Sequence, residues 1–174
     1  PGGARGGGRW GRRGDGVRHR RNVVEGAVGR ARLRAALLSA ETSTELAHDP
    51  VLVAADAVQL GRIIDTLINN SLSYAVRPAR LVIGVSADSA GAVGRVQDNG
   101  VGIPSDQREK VFDRFYRSAG PAVTKVPGVG LGLYISRRLA ELHGGSLVVE
   151  TSTPGEGTVF VLKLPPADQG PFSS

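Results

Sequence analysis

The sequence predicts an α+β fold, a two-layer α/β sandwich with helices on one face of a mixed, mostly antiparallel sheet. Apolar residues recur at helical spacing behind two capping signatures and behind a cluster of glycines. Two pairs of alternating runs, each joined by a short turn, read instead as β-hairpins. No internal repeat interrupts this order, and 174 residues with 40% hydrophobic content suit a single core.

Residues 1–21 predict no regular structure. They hold seven arginines and one acid, Asp15, among many glycines, without apolar periodicity, so a disordered tail is expected. Of the 22 Lys+Arg and 16 Asp+Glu, the remainder of the chain keeps 15 of each. The net charge of +6 therefore belongs to the tail and not to a basic binding face, and no direct nucleic acid partner is expected. Order is expected from Asn22, where Asn22-x-x-Glu25 has the form of a capping box. Val24, Ala27, Val28, Ala31 and Leu38 then share one helical face, predicting a helix to about Leu38. Thr42–Leu46 and Val51–Ala54 are short strand candidates on either side of a turn at Asp49-Pro50. Asp56-x-x-Gln59 repeats the capping signature and opens a helix through Leu60, Ile63, Ile64, Leu67, Ile68 and Leu72 to about Tyr74. Leu81–Ala87 and Ala92–Gln97 alternate as a hairpin. Ser105 is expected to cap a short helix over Asp106–Phe112, Ser118–Pro127 to be loop and Gly130–His143 helix, and Ser146–Thr151 with Thr158–Leu164 to close the fold as a hairpin. The ordered domain is thus expected over 22–165, with a flexible tail over 166–174.

The absence of cysteine excludes disulfides, thiolate zinc and thiol catalysis. No apolar run approaches the roughly eighteen residues that span a bilayer, and none follows the basic start as in a signal peptide, so no membrane insertion is expected. A cytoplasmic protein is expected. The chain contains no methionine, even at position 1, which reads as a missing initiator or a fragment of something longer.

Four stretches carry chemistry. Gly128-Val129-Gly130-Leu131-Gly132-Leu133 precedes an amphipathic run. Its backbone N–H groups can turn toward an anion at a helix N-terminus, although such a cluster also serves simply as a tight turn. The spacing fits neither the dinucleotide fingerprint nor the P-loop. Asp98-Asn99-Gly100-Val101-Gly102-Ile103-Pro104 ends a strand; its glycines let a ring approach the backbone and Asp98 can accept from an exocyclic amine, while Asp-Asn-Gly is equally an ordinary turn. Thr66, Asn70, Ser73 and Tyr74 share one helical face, and the Asn70 amide oxygen suits magnesium beside a phosphate. Val111-Phe112-Asp113-Arg114-Phe115-Tyr116-Arg117 offers aromatics to anchor a mobile loop and arginines within reach of phosphates, or a packed helix end with exposed arginines.

In order and spacing these stretches resemble the N, G1, F and G2 boxes of the ATP-binding domain of sensor histidine kinases, a fold of the GHKL (Bergerat-like) ATPase type. The resemblance covers about Asn22–Pro165, and Gly155-Glu156-Gly157-Thr158-Val159-Phe160 and Leu139–Gly145 share in it. It implies ATP and Mg²⁺ as ligands. Asn70 would be the catalytic residue and the Mg²⁺ ligand, Asp98 would read adenine, and Tyr74 would lie against its ring. Gly100 and Gly102 would make room for the base, and Thr158 would join the adenine network. Gly128, Gly130 and Gly132 would hold phosphates from a mobile lid over 118–127, with Lys125 and Arg117 as further phosphate contacts. Ile103, Leu131 and Leu133 complete the expected ATP-binding set.

The family often has asparagine where Thr66 stands and a basic residue where Ser73 stands. In the related gyrase-type and chaperone-type ATPases the position of Thr66 holds the glutamate that activates water. A hydroxyl is a poor base near neutrality, so phosphoryl transfer is favoured over hydrolysis. None of His19, His48 and His143 fits an acceptor: His19 lies in the tail, His48 in a turn, and His143 ends a helix before Gly144 and Gly145. The expectation is a protein-histidine kinase ATP-binding part, the catalytic subunit of a split kinase or a fragment of a longer one, active only with a partner, whose phosphoryl group passes to a histidine on a separate phosphoacceptor polypeptide and indirectly to a response regulator. The alternatives are a non-catalytic nucleotide-binding regulatory module and an anti-sigma-type protein-serine kinase.

Overall fold

The protein is seen in a computed structural model that describes residues 33, 36, 40–47, 51, 53, 55–118 and 127–166. The expected tail over 1–21, all but Pro166 of the expected tail over 166–174, most of the first helix, the turn at Asp49-Pro50, His19, His48 and the expected lid residues 119–126 with Lys125 lie outside the described residues. Leu33 and Ala36, within the predicted first helix, are helical.

The first strand, β1 (Glu41–Leu46), leads to the long helix α1 (Ala57–Tyr74), then to the hairpin β2 (Arg80–Asp88) and β3 (Gly91–Asp98). Two 3₁₀ turns, Ser105–Gln107 and Lys110–Phe112, precede the helix α2 (Gly132–Leu142), and the hairpin β4 (Ser146–Thr153) and β5 (Gly157–Leu164) closes the fold. The five strands form one sheet in the order β1-β2-β3-β5-β4, with β1 parallel to β2 and every other pair antiparallel. This is the mixed sheet and the α+β two-layer class read from the sequence.

Local chemistry sets α1. The Asp56 carboxylate accepts from Gln59 N at 2.9 Å as the capping signature predicts, and Leu60, Ile63, Leu67, Ile68 and Leu72 bury one stripe. That stripe packs with Leu81, Ile83, Val96, Leu147, Phe160, Leu162 and Leu164 of the sheet, so the core lies between helices and strands. The opposite face of α1, with Thr66, Asn70, Ser73 and Tyr74, is thereby left for something other than the core.

Three local expectations are corrected. Ser105 caps no helix over 106–112: the segment is two 3₁₀ turns without a side-chain cap, Ser105 being the first residue of one. So short a stretch cannot nucleate an α-helix alone, and burial of Phe112 beneath the Arg137 guanidinium, 4.8 Å from its ring centroid, holds it in place instead. The second helix starts at Gly132 and not Gly130, with Leu131 at the N-cap. Of the strand candidate Val51–Ala54, Val51 and Val53 are the described residues, and between them they form a single bridge, from Val53 to Pro166. His143 closes α2 as expected for a cap. Gly144 N and Gly145 N reach back to Glu141 O and Ala140 O at 2.9 Å each. Its ring does more: Nδ1 meets Leu139 O at 2.7 Å and Nε2 accepts from Asp56 N at 3.1 Å, tying the end of α2 to the start of α1.

Candidate functional site

A cavity of about 470 Å³ lies between the polar face of α1, the loop after β3, the segment 127–133 that enters α2, and the start of β5. Twelve of the residues selected from the sequence line it: Asn70, Tyr74, Asp98, Gly102, Ile103, Arg117, Gly128, Gly130, Leu131, Gly132, Leu133 and Thr158. Gly100 does not, and Lys125 lies outside the described residues.

Asp98 is 6% exposed at the last position of β3, opposite Thr158 of β5. Its Oδ1 accepts from Gly100 N at 2.9 Å and from Thr158 N at 3.1 Å, and among the described residues no backbone N–H donates to Oδ2. Burial raises its pKa above the ordinary aspartate value; the Gly100 and Thr158 amides and the nearby Ser71 hydroxyl oppose this. Among the described residues, Ser71 Oγ meets no partner at full hydrogen-bond geometry.

The loop after β3 is stitched to the exit of α1. Val101 N donates to Tyr74 O at 3.1 Å, Val76 N donates to Asn99 O at 3.3 Å, and the Asn99 side chain donates to Val76 O and Pro78 O while accepting from Arg80 N. Glycine at 100 follows from this closeness. A Cβ there would sit 2.7 Å from Tyr74 O and 2.8 Å from Asp98 Oδ1, so the approach of Asp98 and the end of α1 already demands glycine at this position. Gly102 does line the cavity, yet its φ of +72° and a Cβ position 2.1 Å from Thr153 O show that the β4–β5 turn imposes glycine there.

Among the described residues no side chain caps α2, and no acidic residue stands in its first turn. Leu131, Gly132 and Leu133 line the cavity, so the unsatisfied N–H donors and the positive end of the helix dipole meet it. Arg117 Nη1 donates to Gly128 O at 3.2 Å, and Phe115 N donates to Gly130 O at 3.0 Å, so the aromatic segment holds the glycine segment from the other side. Phe112 is its buried anchor; Phe115 is 65% exposed.

The Thr66 hydroxyl donates to Arg62 O at 2.8 Å, which commits its proton to the helix backbone. Asn69, beside Asn70, also lines the cavity and was not selected from the sequence, although its place three residues after Thr66 on the same face was the available signal. Ser152 was missed too. Its hydroxyl accepts from Ile103 N at 2.7 Å and contacts Gly157 O at 3.0 Å and Thr158 Oγ1 at 2.8 Å. The arrangement supplies a buried acceptor, neutral amides and a helix N-terminus in one cavity, the requirements of a ligand with an amine-bearing ring and phosphates.

Known proteins agree. Residues 55–168 match the family described as histidine kinase-, DNA gyrase B-, and HSP90-like ATPase. Among curated relatives, the sensor histidine kinase RppB of Synechocystis sp. is 36% identical over 125 residues, covering 72% of this chain and 27% of its own length. The signal transduction histidine-protein kinase AfsQ2 of Streptomyces coelicolor is 39% identical over 145 residues, covering 80% of this chain and 25% of its own. The chain thus spans about a quarter of these relatives. Among solved structures, the mycobacterial sensor histidine kinase MprB superposes with a TM-score of 0.73 at 29% identity, covering 84% of this chain and 95% of that one. Among the described residues, no helix is long and apolar enough to cross a membrane. With the fold, the cavity and these matches in agreement, the chain belongs to the histidine kinase-, DNA gyrase B- and HSP90-like ATPase family, as a catalytic ATPase domain of the sensor histidine kinase kind.

Proposed function

We propose that this domain binds ATP with Mg²⁺ in the cavity between α1 and α2. It then transfers the γ-phosphoryl group to a histidine presented from outside residues 1–174, which in turn serves a response regulator. The observation that carries the reading is the meeting of Asp98 and the uncapped start of α2 in one cavity beside Asn70. Asp98 accepts from the exocyclic amine of adenine, Tyr74 lies against the ring, and Thr158 and Ile103 complete the base site. The backbone of Gly128, Gly130, Leu131, Gly132 and Leu133, with Arg117 and Lys125, takes the phosphates.

Mg²⁺ fits the residues present. Asn70 and Asn69 line the cavity and, among the described residues, neither side chain has an intramolecular hydrogen bond, while no cluster of three carboxylate or imidazole groups offers an all-protein cage. Asn70 would hold the ion with phosphate oxygens and water, where it supplies charge neutralisation of the phosphates. Everything else is positioning by the chain. The bond from the γ-phosphorus to its bridging oxygen breaks, a phosphorus–nitrogen bond forms to the acceptor imidazole, and ADP leaves. The imidazole proton goes to a base on the acceptor side.

Two features of this chain support transfer over hydrolysis and over self-labelling. Thr66 stands where a base for water would be needed, with its proton already engaged. His143, the one histidine among the described residues, is 1% exposed and has both ring nitrogens bonded to backbone, so no phosphoryl group reaches it. The test is γ-labelled ATP with the purified chain, alone and then with a histidine-domain protein encoded nearby. Acid-labile label should appear on the partner alone. Label on this chain by itself, or brisk solo hydrolysis lost on Asn70 substitution, overturns the proposal. Nucleotide binding without transfer to any partner moves the reading to a non-catalytic regulatory module.

A further inference from the structure

We infer that Ser152 is a positioning residue that sets which way the Thr158 hydroxyl faces, so that the base end of the cavity offers hydrogen-bond acceptors only and selects 6-amino over 6-oxo purines. This rests on the nucleotide-binding reading above and adds a residue which that reading does not contain.

Ser152 reaches the interior through an irregularity in β4. Val149 pairs with Phe160 of β5 and Thr151 with its neighbour Val159, so Glu150 is an extra residue opposite none. Leu147 and Val149 face the core, and strict alternation would then turn Thr151 inward and Ser152 out. The bulge reverses the parity: Ser152 is 4% exposed and Thr151 faces solvent. Glu150 itself stays on the outer face, where it meets Arg95 at 3.4 Å.

Proton counting decides the polarity. A serine hydroxyl donates once and accepts twice. Ile103 N donates to Ser152 Oγ at 2.7 Å. Gly157 O, at 3.0 Å, is an acceptor and takes the Ser152 proton. The contact of 2.8 Å to Thr158 Oγ1 must then be made with the Thr158 proton. Thr158 lines the cavity with its hydroxyl hydrogen turned away, and meets a ligand there with lone pairs alone. Beside it, ionised Asp98 has no proton to offer either. A purine amine, or a water that it holds, finds acceptors; a purine carbonyl oxygen at the same place finds only like polarity.

The experiment measures binding of ATP and of ITP, which carries oxygen where ATP carries the amine, to the full chain by calorimetry with Mg²⁺. Wild type should prefer ATP. Ser152→Ala frees the Thr158 proton to turn into the cavity, so ITP binding should tighten while ATP binding weakens, and the preference should fall roughly tenfold, about the worth of one hydrogen bond. Thr158→Val should lower the preference by weakening ATP binding without tightening ITP, and Ser152→Ala added to it should produce no tightening of ITP. General loosening of the fold weakens both nucleotides together, so it cannot imitate the opposite signs. If Ser152→Ala fails to fold, Ser152→Cys, nearly the same size with a weakly bonding thiol, carries the same test. A folded Ser152 variant that binds ATP with the wild-type preference overturns the inference while leaving the nucleotide site in place. Wild-type protein that binds neither nucleotide overturns the nucleotide reading and the inference with it.

Discussion

The Thr158 backbone N–H donates to Asp98 Oδ1 at 3.1 Å across 60 residues of sequence, joining the last residue of β3 to the start of β5. Gly100 N donates to the same oxygen, so Asp98 is held by groups that an asparagine oxygen can equally satisfy. Asp98→Asn should therefore leave the nucleotide-free fold as stable as wild type or more so, because a buried charge is removed. ATP binding should weaken by roughly ten- to a hundredfold, the worth of about 1.5–3 kcal/mol for a lost charge-assisted bond. Thermal denaturation without nucleotide and calorimetry with it check the two halves, and a variant that binds ATP as wild type does would remove Asp98 from the base site.

Acidification should weaken ATP binding earlier than an exposed aspartate would allow. The ionised carboxylate is the form that accepts from the amine, and burial holds the Asp98 pKa above its ordinary value of 3.8. Affinity is full above the raised pKa and declines as pH falls through it. Stability of the nucleotide-free protein runs the other way. The folded state binds more protons between the two values, so the Asp98 contribution is fully present below 3.8 and is lost as pH rises through the window. Calorimetry across the acid range, with Asp98→Asn as a flat reference, tests the direction.

His143→Ala should destabilise the domain by about 2–4 kcal/mol, since it leaves Asp56 N without its acceptor and opens a void at the junction of the two helices. Urea denaturation measures this. Histidine-directed labelling of the folded wild type should find the buried ring unreactive.

Asn70→Asp should abolish phosphoryl transfer while leaving the fold intact. The residue lines the cavity on the polar face of α1, away from the buried stripe, and an added carboxylate would stand against the phosphates. Circular dichroism and the labelled-ATP assay together read the two outcomes. Loss of the fold would place Asn70 in the core instead.

Much of the site was legible because its signals are local. The Asp56 cap needs only Gln59 three residues on, the face holding Thr66, Asn70, Ser73 and Tyr74 follows from helical spacing, and the hairpin at β2 and β3 from alternation. Where a signal was weak locally, as at Ser105 ahead of a segment too short to nucleate a helix, the reading failed and the burial of Phe112 decided the outcome.

By itself the sequence determined the α+β class, the order of the long helices and the two hairpins, and twelve of the residues around the cavity, since periodicity, capping and motif spacing act over a few residues. Only the tertiary structure decided what those residues face. Gly100 is required by the approach of Tyr74 O and Asp98, Gly102 by Thr153 O, and His143 serves the N-terminus of a helix 87 residues away. Ser152 points inward because one extra residue at Glu150 reverses the parity of β4 against β5. Each of these depends on a partner strand, turn or helix far along the chain. Pairing register and close packing are properties of two segments together, and no single segment encodes them.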